Sequence, residues 1–253
     1  MMFSQHDIKK LLQNSVHLLQ ELKETYALLP STRCRRKTHC CSMLPEMSLV
    51  EALAVIKRLL DMPSAMRRQF EQNIVSYFFL NPVEITSCPF LEGQDCLIYE
   101  DRFFGCRAYG LWSQEYYEKL TASVRRAKIH LREQWKDLGL SLPSKVVDFK
   151  VPYCTYVEID DHAFIDDRML INISDTIEAI SGRLSQRHQS FSKIYFSDLS
   201  FLLSSLTFGL AESIQMKFAV VKDIITTGNM TGLEKIIDEL PDLCSKLDLF
   251  STV

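Results

Sequence analysis

Glycine is scarce in this sequence, with 8 residues among 253, and no glycine-rich phosphate loop or dinucleotide-binding fingerprint occurs. Nucleotide sites that depend on such loops therefore receive no support. The sequence also lacks an excess of positive charge, because its formal net charge is -3 and its pI is about 6.1. Binding to nucleic acid or to an anionic membrane surface usually relies on a basic field. We therefore expect no nucleic-acid partner and no membrane partner.

Long apolar runs are also missing. The most apolar stretch, residues 199–211, is followed by Glu212 and Lys217 and is too short for a span of about 20 residues. It is expected to form a buried helix. The first residues, MMFSQHDIKKLL, carry polar and charged side chains where a secretory signal has a continuous apolar stretch. These features predict a cytoplasmic protein, in which cysteines stay reduced and serve as metal ligands or as buried small side chains.

Helical periodicity dominates the chain, in the form of apolar residues spaced three and four apart. Ser48 and Glu51 have the spacing of a capping box, and Ser113 can cap the helix that follows it. We predict helices over residues 7–29, 48–60, 64–80 and 113–138, and three or four more between residues 174 and 249, with breaks near His188, Gly228 and Pro241.

Alternation of apolar and polar residues replaces this pattern between Tyr153 and Ile173, where we predict a short antiparallel hairpin. The acidic residues of this hairpin could bind a hard cation, but we interpret them as part of a solvated turn. They are Glu158, Asp160, Asp161, Asp166 and Asp167. The predicted fold class is mainly α (α+β), a helical protein with cysteine-rich loops around a metal site and a small antiparallel hairpin. We expect a single unit, 1–253, with a cysteine-cluster region at 30–112 and a mainly helical region at 113–253 that contains the hairpin near 153–173.

Six of the eight cysteines fall into two groups within segments that lack helical rhythm. Thiolates are soft ligands that suit zinc and iron–sulfur clusters, and four of them complete the usual shell of either. We predict one metal site and take all six as candidate ligands, Cys34, Cys40, Cys41, Cys88, Cys96 and Cys106. The preferred set is Cys34, one of the adjacent pair and two of the second group. Cys154 and Cys244 stand alone and are interpreted as packing residues.

The spacing of these cysteines favours an iron–sulfur cluster of the four-iron type over zinc. Structural zinc sites usually have about two to four residues between paired ligands, and the chain has no such pair. Adjacent Cys40 and Cys41 diverge in regular backbone, so both can bind one cluster only in a special turn. Arg102 and Arg107 are expected to supply positive charge around an anionic cluster. His39 is interpreted as a bystander more than a ligand.

Four ordered elements of this region resemble the YkgJ-type cysteine-cluster family, described as zinc- or iron-chelating domain proteins. They are the adjacent pair preceded by Cys34, Cys88-Pro89-Phe90-Leu91, the run 96–102 that ends in Arg102, and Cys106-Arg107. The resemblance covers about residues 34–109 and implies a metal site on these cysteines. Two positions depart from it, because Lys37 stands where many members have a cysteine and Phe103 where a proline is usual.

A looser resemblance to flagellin lysine N-methylases implies an alternative, an S-adenosylmethionine-dependent protein-modifying enzyme. The CxxxCxxC motif of radical enzymes that use this cofactor is absent, and no Ser-His-Asp or Cys-His spacing indicates nucleophilic catalysis. This enzyme is the second of three hypotheses. The first is a metal-binding protein with a redox, cluster-handling or structural role. The third is a structural zinc protein whose helical second half acts as an interaction module, and a protein partner is expected.

Overall fold

The chain is mainly helical in the computed structural model, which describes residues 2–159 and 165–243. The fold class predicted above, mainly α with a small antiparallel hairpin, is confirmed. The helices are α1 (Gln5–Asn14), α2 (Val16–Tyr26), α3 (Leu49–Leu60), α4 (Ser64–Leu80), α5 (Phe104–Arg107), α6 (Gln114–Asp137), α7 (Ser144–Val147), α8 (Asp167–Gly182), α9 (Gln186–Tyr195), α10 (Leu199–Phe208), α11 (Leu210–Thr227) and α12 (Thr231–Asp238).

The starts of two helices, α3 and α6, follow the capping residues expected from the sequence. Ser48 caps α3 in a complete capping box with Glu51, and the Ser113 hydroxyl accepts a hydrogen bond from the backbone N–H of Tyr116 at the start of α6. The helix predicted over residues 7–29 is two helices, because Ser15 leaves the helical conformation with φ -109° and ψ 17°. The break lets α1 pack on α3 while α2 packs on both α3 and α8.

The C-terminal region differs from the prediction in number as well as in boundaries, because its described residues form five helices, α8 to α12, where three or four were predicted. Helix α8 begins at Asp167, seven residues before the predicted start at Ser174, because Asp166 caps it by accepting from the Met169 N–H. The break predicted near His188 lies at residues 183–185, and His188 is inside α9. Gly228 ends α11 in the left-handed conformation, with φ 70°. None of the helices in the described ranges is long and apolar enough to cross a membrane.

Two small antiparallel sheets lie beside the helices. Strands β2 (Leu91–Glu92) and β3 (Asp95–Cys96) form a hairpin, with Gly93 at φ 60° in its turn. Strand β1 (Thr32–Cys34) pairs with β4 (Val157–Ile159), which places Cys34 opposite Val157.

The hairpin predicted near residues 153–173 is therefore wrong in its pairing. Strand β4 takes a partner about 120 residues earlier in the chain, and residues 167–173 begin α8. Alternation indicated the strand correctly at 157–159, but strand character does not specify which strand pairs with it. The predicted turn, residues 160–162, lies outside the described residues.

The main core joins helices from both halves of the sequence, with fully buried members such as Ile8, Leu53, Ile74 and Leu202. The cysteine-rich segment contributes to this core through Phe90, Ile98 and Phe103, which lie among the least exposed side chains of the molecule. The backbone that carries the second cysteine group is thus anchored by aromatic and aliphatic burial rather than by regular secondary structure. Two smaller apolar clusters flank the core, one around Trp112 and one around Leu140.

Candidate metal centre

The first cysteine segment folds into a tight, irregular turn after β1. Arg36 and Thr38 have positive φ values of 49° and 57°, and a single 3-10 turn follows at His39–Ser42. In this turn the sulfur atoms of Cys40 and Cys41 lie 3.6 Å apart. The turn is therefore one of the special conformations in which adjacent cysteines present both sulfurs to the same place, and the expected divergence does not occur.

The second cysteine segment docks directly onto the first. The backbone N–H of Cys88 donates to the Cys41 carbonyl at 2.7 Å, and the Leu97 N–H donates to Phe90 at 2.9 Å to close the β2–β3 hairpin that carries Cys96. Cys106 lies in the short helix α5, whose backbone bonds begin at Phe103. The structure therefore brings both cysteine groups together, as a single site requires.

The thiols of this centre lie within one another's electrostatic fields. Burial, together with the neighbouring cysteines, raises the pKa of Cys88 and Cys106 well above the ordinary value of a thiol. Contact with Cys41 is the largest cause of the raised pKa of Cys40, and burial is the largest cause for Cys96. Without a compensating cation, such thiols stay protonated and unreactive at neutral pH.

Arg102 supplies positive charge close to these thiols. Its guanidinium opposes the rise in pKa of three of them, namely Cys40, Cys96 and Cys106. The side chain is held in place because its Nε donates to the Tyr99 carbonyl at 2.9 Å and the group stacks on the Tyr99 ring at 3.6 Å. It is thus positioned to stabilise negative charge on sulfur.

The second arginine of this region, Arg107, contacts α2 and the backbone of Arg102. Its guanidinium stacks on the Tyr26 ring at 4.3 Å, and its Nε donates to the Arg102 carbonyl at 2.8 Å. Arg107 therefore fixes the backbone of Arg102 and the position of α5. In the first segment, Arg35 and Arg36 form exposed ion pairs with Glu158 and Asp95, and the second of these pairs links the two cysteine segments.

A small cavity of about 20 Å³ lies at the meeting point of these segments. Buried His39 Nδ1 has no hydrogen-bond partner there, so the imidazole carries a free polar atom among soft donors. Cys154, interpreted from the sequence as a packing residue, lines the same cavity. The β1–β4 pairing puts Cys154 there, which no local spacing could have indicated. The cavity walls include Cys34, His39, Cys40, Arg102, Cys106, Arg107, Tyr109, Cys154 and Tyr156.

No family model, curated protein or solved structure matches this chain. Among the described residues, no group of three or more histidine, cysteine, aspartate or glutamate side chains is arranged so that it could hold a metal ion. The thiols converge around Arg102 without closing into a coordination shell.

A buried carboxylate beside the centre was assigned from the sequence only to a helix cap. Glu51 is 5% exposed, and one of its carboxylate oxygens accepts from Ser48 as the capping box requires. The other oxygen accepts from the Tyr26 hydroxyl and from the Phe104 N–H, both at 2.6 Å. Glu51 therefore ties α2, α3 and the start of α5 together, and α5 carries Cys106.

A Ser–His–Glu series also occurs, away from the cysteines. The Ser181 hydroxyl lies 2.9 Å from His188 Nδ1, and His188 Nε2 lies 3.4 Å from a carboxylate oxygen of Glu178. Ser181 is fully buried, and its hydroxyl accepts from the Val50 N–H. A nucleophile must reach its substrate, so these hydrogen bonds connect α3, α8 and α9 and do not form a catalytic triad.

Two of the acidic residues near β4 have structural roles. Asp166 caps α8, and Asp167 accepts a hydrogen bond from the Ser113 N–H.

Proposed function

We propose that this protein is a metal-binding protein whose centre is ligated by cysteine thiolates, with a four-iron cluster as the first candidate. The observation that carries the proposal is the docking of the Cys88 segment on the Cys41 carbonyl, which gathers thiols from separate stretches of chain around Arg102. Packing alone gives no reason to collect so many thiols, one guanidinium and a free imidazole nitrogen at one point.

The chemistry of the donors supports a soft metal. Burial, together with the neighbouring thiols, raises the pKa of these cysteines, so their protons are retained in the absence of a cation. A bound metal would replace those protons and neutralise the charge, and Arg102 would stabilise the remaining negative charge. A closed shell would require side chains to rotate, because no group of three or more potential ligands is arranged for a metal ion within the described ranges. The cluster, when bound, would supply one-electron redox chemistry or a rigid cross-link between the segments.

Zinc is a second candidate, and one distance favours it. Two thiolates on one tetrahedral zinc, each at about 2.3 Å, are separated by roughly 3.8 Å. The sulfurs of Cys40 and Cys41 are 3.6 Å apart, close to that separation. In a four-iron cluster with four cysteine ligands each thiolate serves its own iron, so one of this pair would be a spare. Zinc would therefore bind both Cys40 and Cys41, whereas a four-iron cluster would bind only one of them.

The decisive experiment measures iron, zinc and acid-labile sulfide, with an absorption spectrum, on protein purified without oxygen. About four irons and four sulfides per chain, with visible absorption, would support the cluster. About one zinc per chain without sulfide would support the zinc alternative. Protein that folds normally and contains none of these elements would contradict a metal centre of either kind.

Serine variants then identify the ligands. Cys96→Ser is expected to lose most of the bound metal, whereas Cys244→Ser is the matched control because Cys244 belongs to neither cysteine group. For a cluster, only one of Cys40→Ser and Cys41→Ser should abolish the absorption. For zinc, both should lower the metal content.

The enzymatic alternative, an S-adenosylmethionine-dependent protein-modifying activity, is favoured by no specific contact in the described ranges. Equilibrium binding of the methyl donor to the metal-loaded protein would test it. Binding that is lost with the metal would add an enzyme activity to the proposed centre, and its absence would leave a redox, cluster-handling or structural role.

A further inference from the structure

Helix α6 is attached to the rest of the protein mainly at its two ends. At its first turns Tyr117 is buried, and it packs beside Trp112 and Tyr153. Near its last turn Trp135 stacks on Phe218 at 6.0 Å. The middle of the helix is almost entirely exposed, although α6 has 24 residues and a length of about 36 Å.

An apolar stripe runs along this uncovered middle, on the same face as the two anchors. Leu120, Val124 and Leu131 are 39%, 43% and 44% exposed. Val124 and Leu131 follow Tyr117 at intervals of seven, which keeps all three on one face of a helix, and Trp135 follows Leu131 by four. The stripe therefore lies between two packed residues, Tyr117 and Trp135, on the same helix face, and no other element of the described chain covers it.

A groove of about 340 Å³ opens beside this stripe. Its opposite wall is the segment 148–151, with Phe149 and Val151, and Met43 contributes from the first cysteine segment. Lys128 on α6 connects the two walls of the groove, because its Nζ donates to the Phe149 carbonyl at 3.1 Å. A cavity of this size accepts one or two large apolar side chains.

Charge identifies the kind of partner that fits. The run 119–132 of α6 contains five lysine or arginine residues and no aspartate or glutamate. Arg125 and Arg132, seven residues apart, lie on the same side of the helix, and neither has an ion pair or hydrogen bond within the part of the chain that the structure describes. Lys150 on the opposite wall is also exposed. Glu118 and Asp148 are the acidic residues of the groove, so its charge is positive on balance.

We propose that the α6 groove is a docking site for an acidic amphipathic helix of a partner protein. Apolar residues of that helix would cover Leu120, Val124 and Leu131, and its carboxylates would face Arg125, Arg132 and Lys150. A second copy of this chain fits less well, because it would bring the same basic run of α6 against itself. The inference does not depend on the metal centre.

The test uses the full chain and a synthetic probe. The probe is a fluorescent peptide of about 21 residues, with leucine at the seam positions of each heptad and glutamate beside them, and a matched peptide has lysine in place of glutamate. Fluorescence anisotropy at about 0.15 M salt should show saturable binding of the acidic peptide and none of the basic one.

Surface variants locate the binding. Val124→Ser/Leu131→Ser and Arg125→Glu/Arg132→Glu should each weaken binding by about tenfold or more, because one removes apolar contact and the other reverses charge. Lys222→Glu/Lys235→Glu is the control, since both lysines are exposed and line no part of the groove. Circular dichroism would verify that every variant is folded.

Four results would overturn the proposal. They are failure of the acidic peptide to bind, equal binding by all variants, binding of phosphatidylserine vesicles in place of the peptide, and sedimentation as a dimer that Val124→Ser/Leu131→Ser dissociates. The third would assign the surface to an anionic membrane, and the fourth to a second copy of the chain.

Discussion

Glu51 shows how one side chain can organise the surroundings of a candidate site. A capping box requires only one carboxylate oxygen, and the other reaches Tyr26 and Phe104 on different elements. The partners of these bonds are all donors, namely two hydroxyl groups and two backbone N–H groups. A buried carboxylate surrounded in this way is stabilised by charge-assisted hydrogen bonds.

Replacement of Glu51 by glutamine should lower the free energy of unfolding by about 2–4 kcal/mol. Glutamine keeps the shape but turns an NH₂ group toward donors, and it removes the charge that strengthens the bonds. Urea unfolding at an unchanged m-value measures the difference. Because α5 carries Cys106, a candidate ligand of the proposed metal centre, the variant should also retain less metal when the protein is loaded with it.

The control for this variant is Glu84→Gln, since Glu84 is exposed. Its effect should stay within about 0.5 kcal/mol. If Glu51→Gln cost no more than that, the side chain would be a helix cap and no more.

At the scale of elements, Gly110 determines how β4 sits against the loop that follows α5. Gly110 has φ +88°, and a Cβ there would lie 2.7 Å from Val157 Cγ2 and 3.4 Å from Cys154 Cβ. The absence of a side chain therefore lets the β4 segment approach closely and brings Cys154 to the cavity. Gly139 has a similar φ of +83°, but a Cβ added to it would meet no described atom within 4 Å.

Alanine variants of these two glycines separate the energetic cost of backbone strain from the cost of a steric clash. Gly139→Ala should cost about 1 kcal/mol, the strain of a left-handed alanine. Gly110→Ala should cost about 3 kcal/mol, because the clash with Val157 is added to the same strain. Thermal unfolding of both variants gives the comparison, and equal losses would show that Val157 moves aside freely.

Short-range sequence patterns are sufficient to predict elements that are determined by contacts between nearby residues. The span of α4 and the capping box of α3 follow from spacing and from side chains within four residues. The meeting of the two cysteine groups was predicted from chemistry, since one shell needs about four ligands.

Contacts between distant segments could not be predicted in the same way. The β1–β4 pairing depends on residues more than 120 positions apart, and three-residue strands carry no information about their partner. For that reason the predicted hairpin is wrong in its pairing, and no local pattern indicates that Cys154, which is buried as a packing residue is, also lines the cavity. The close approach of the Cys40 and Cys41 sulfurs occurs shortly after Thr38, which has a left-handed conformation that threonine rarely adopts.

At the scale of the whole molecule, the question is whether the small apolar clusters unfold with the main core. That core draws on residues from Phe3 to Leu243, which argues for one cooperative unit. The two tryptophans of the sequence lie outside it, Trp112 in one flanking cluster and Trp135 packed against the other. Tryptophan fluorescence therefore reports on the flanks, while far-ultraviolet circular dichroism reports mainly on the core helices.

We predict that the two signals will give coincident urea transitions, with the same midpoint and the same m-value. The physical reason is that Leu80 and Ile224 contact both the main core and the cluster around Leu140, so this flank cannot separate without exposing core surface. Phe104 and Leu29 connect the Trp112 cluster in the same way. The Trp135→Phe variant leaves Trp112 as the single reporter and tests that flank alone. An earlier fluorescence transition in that variant would mean that the start of α6, with the α5 turn that carries Cys106, opens before the core does.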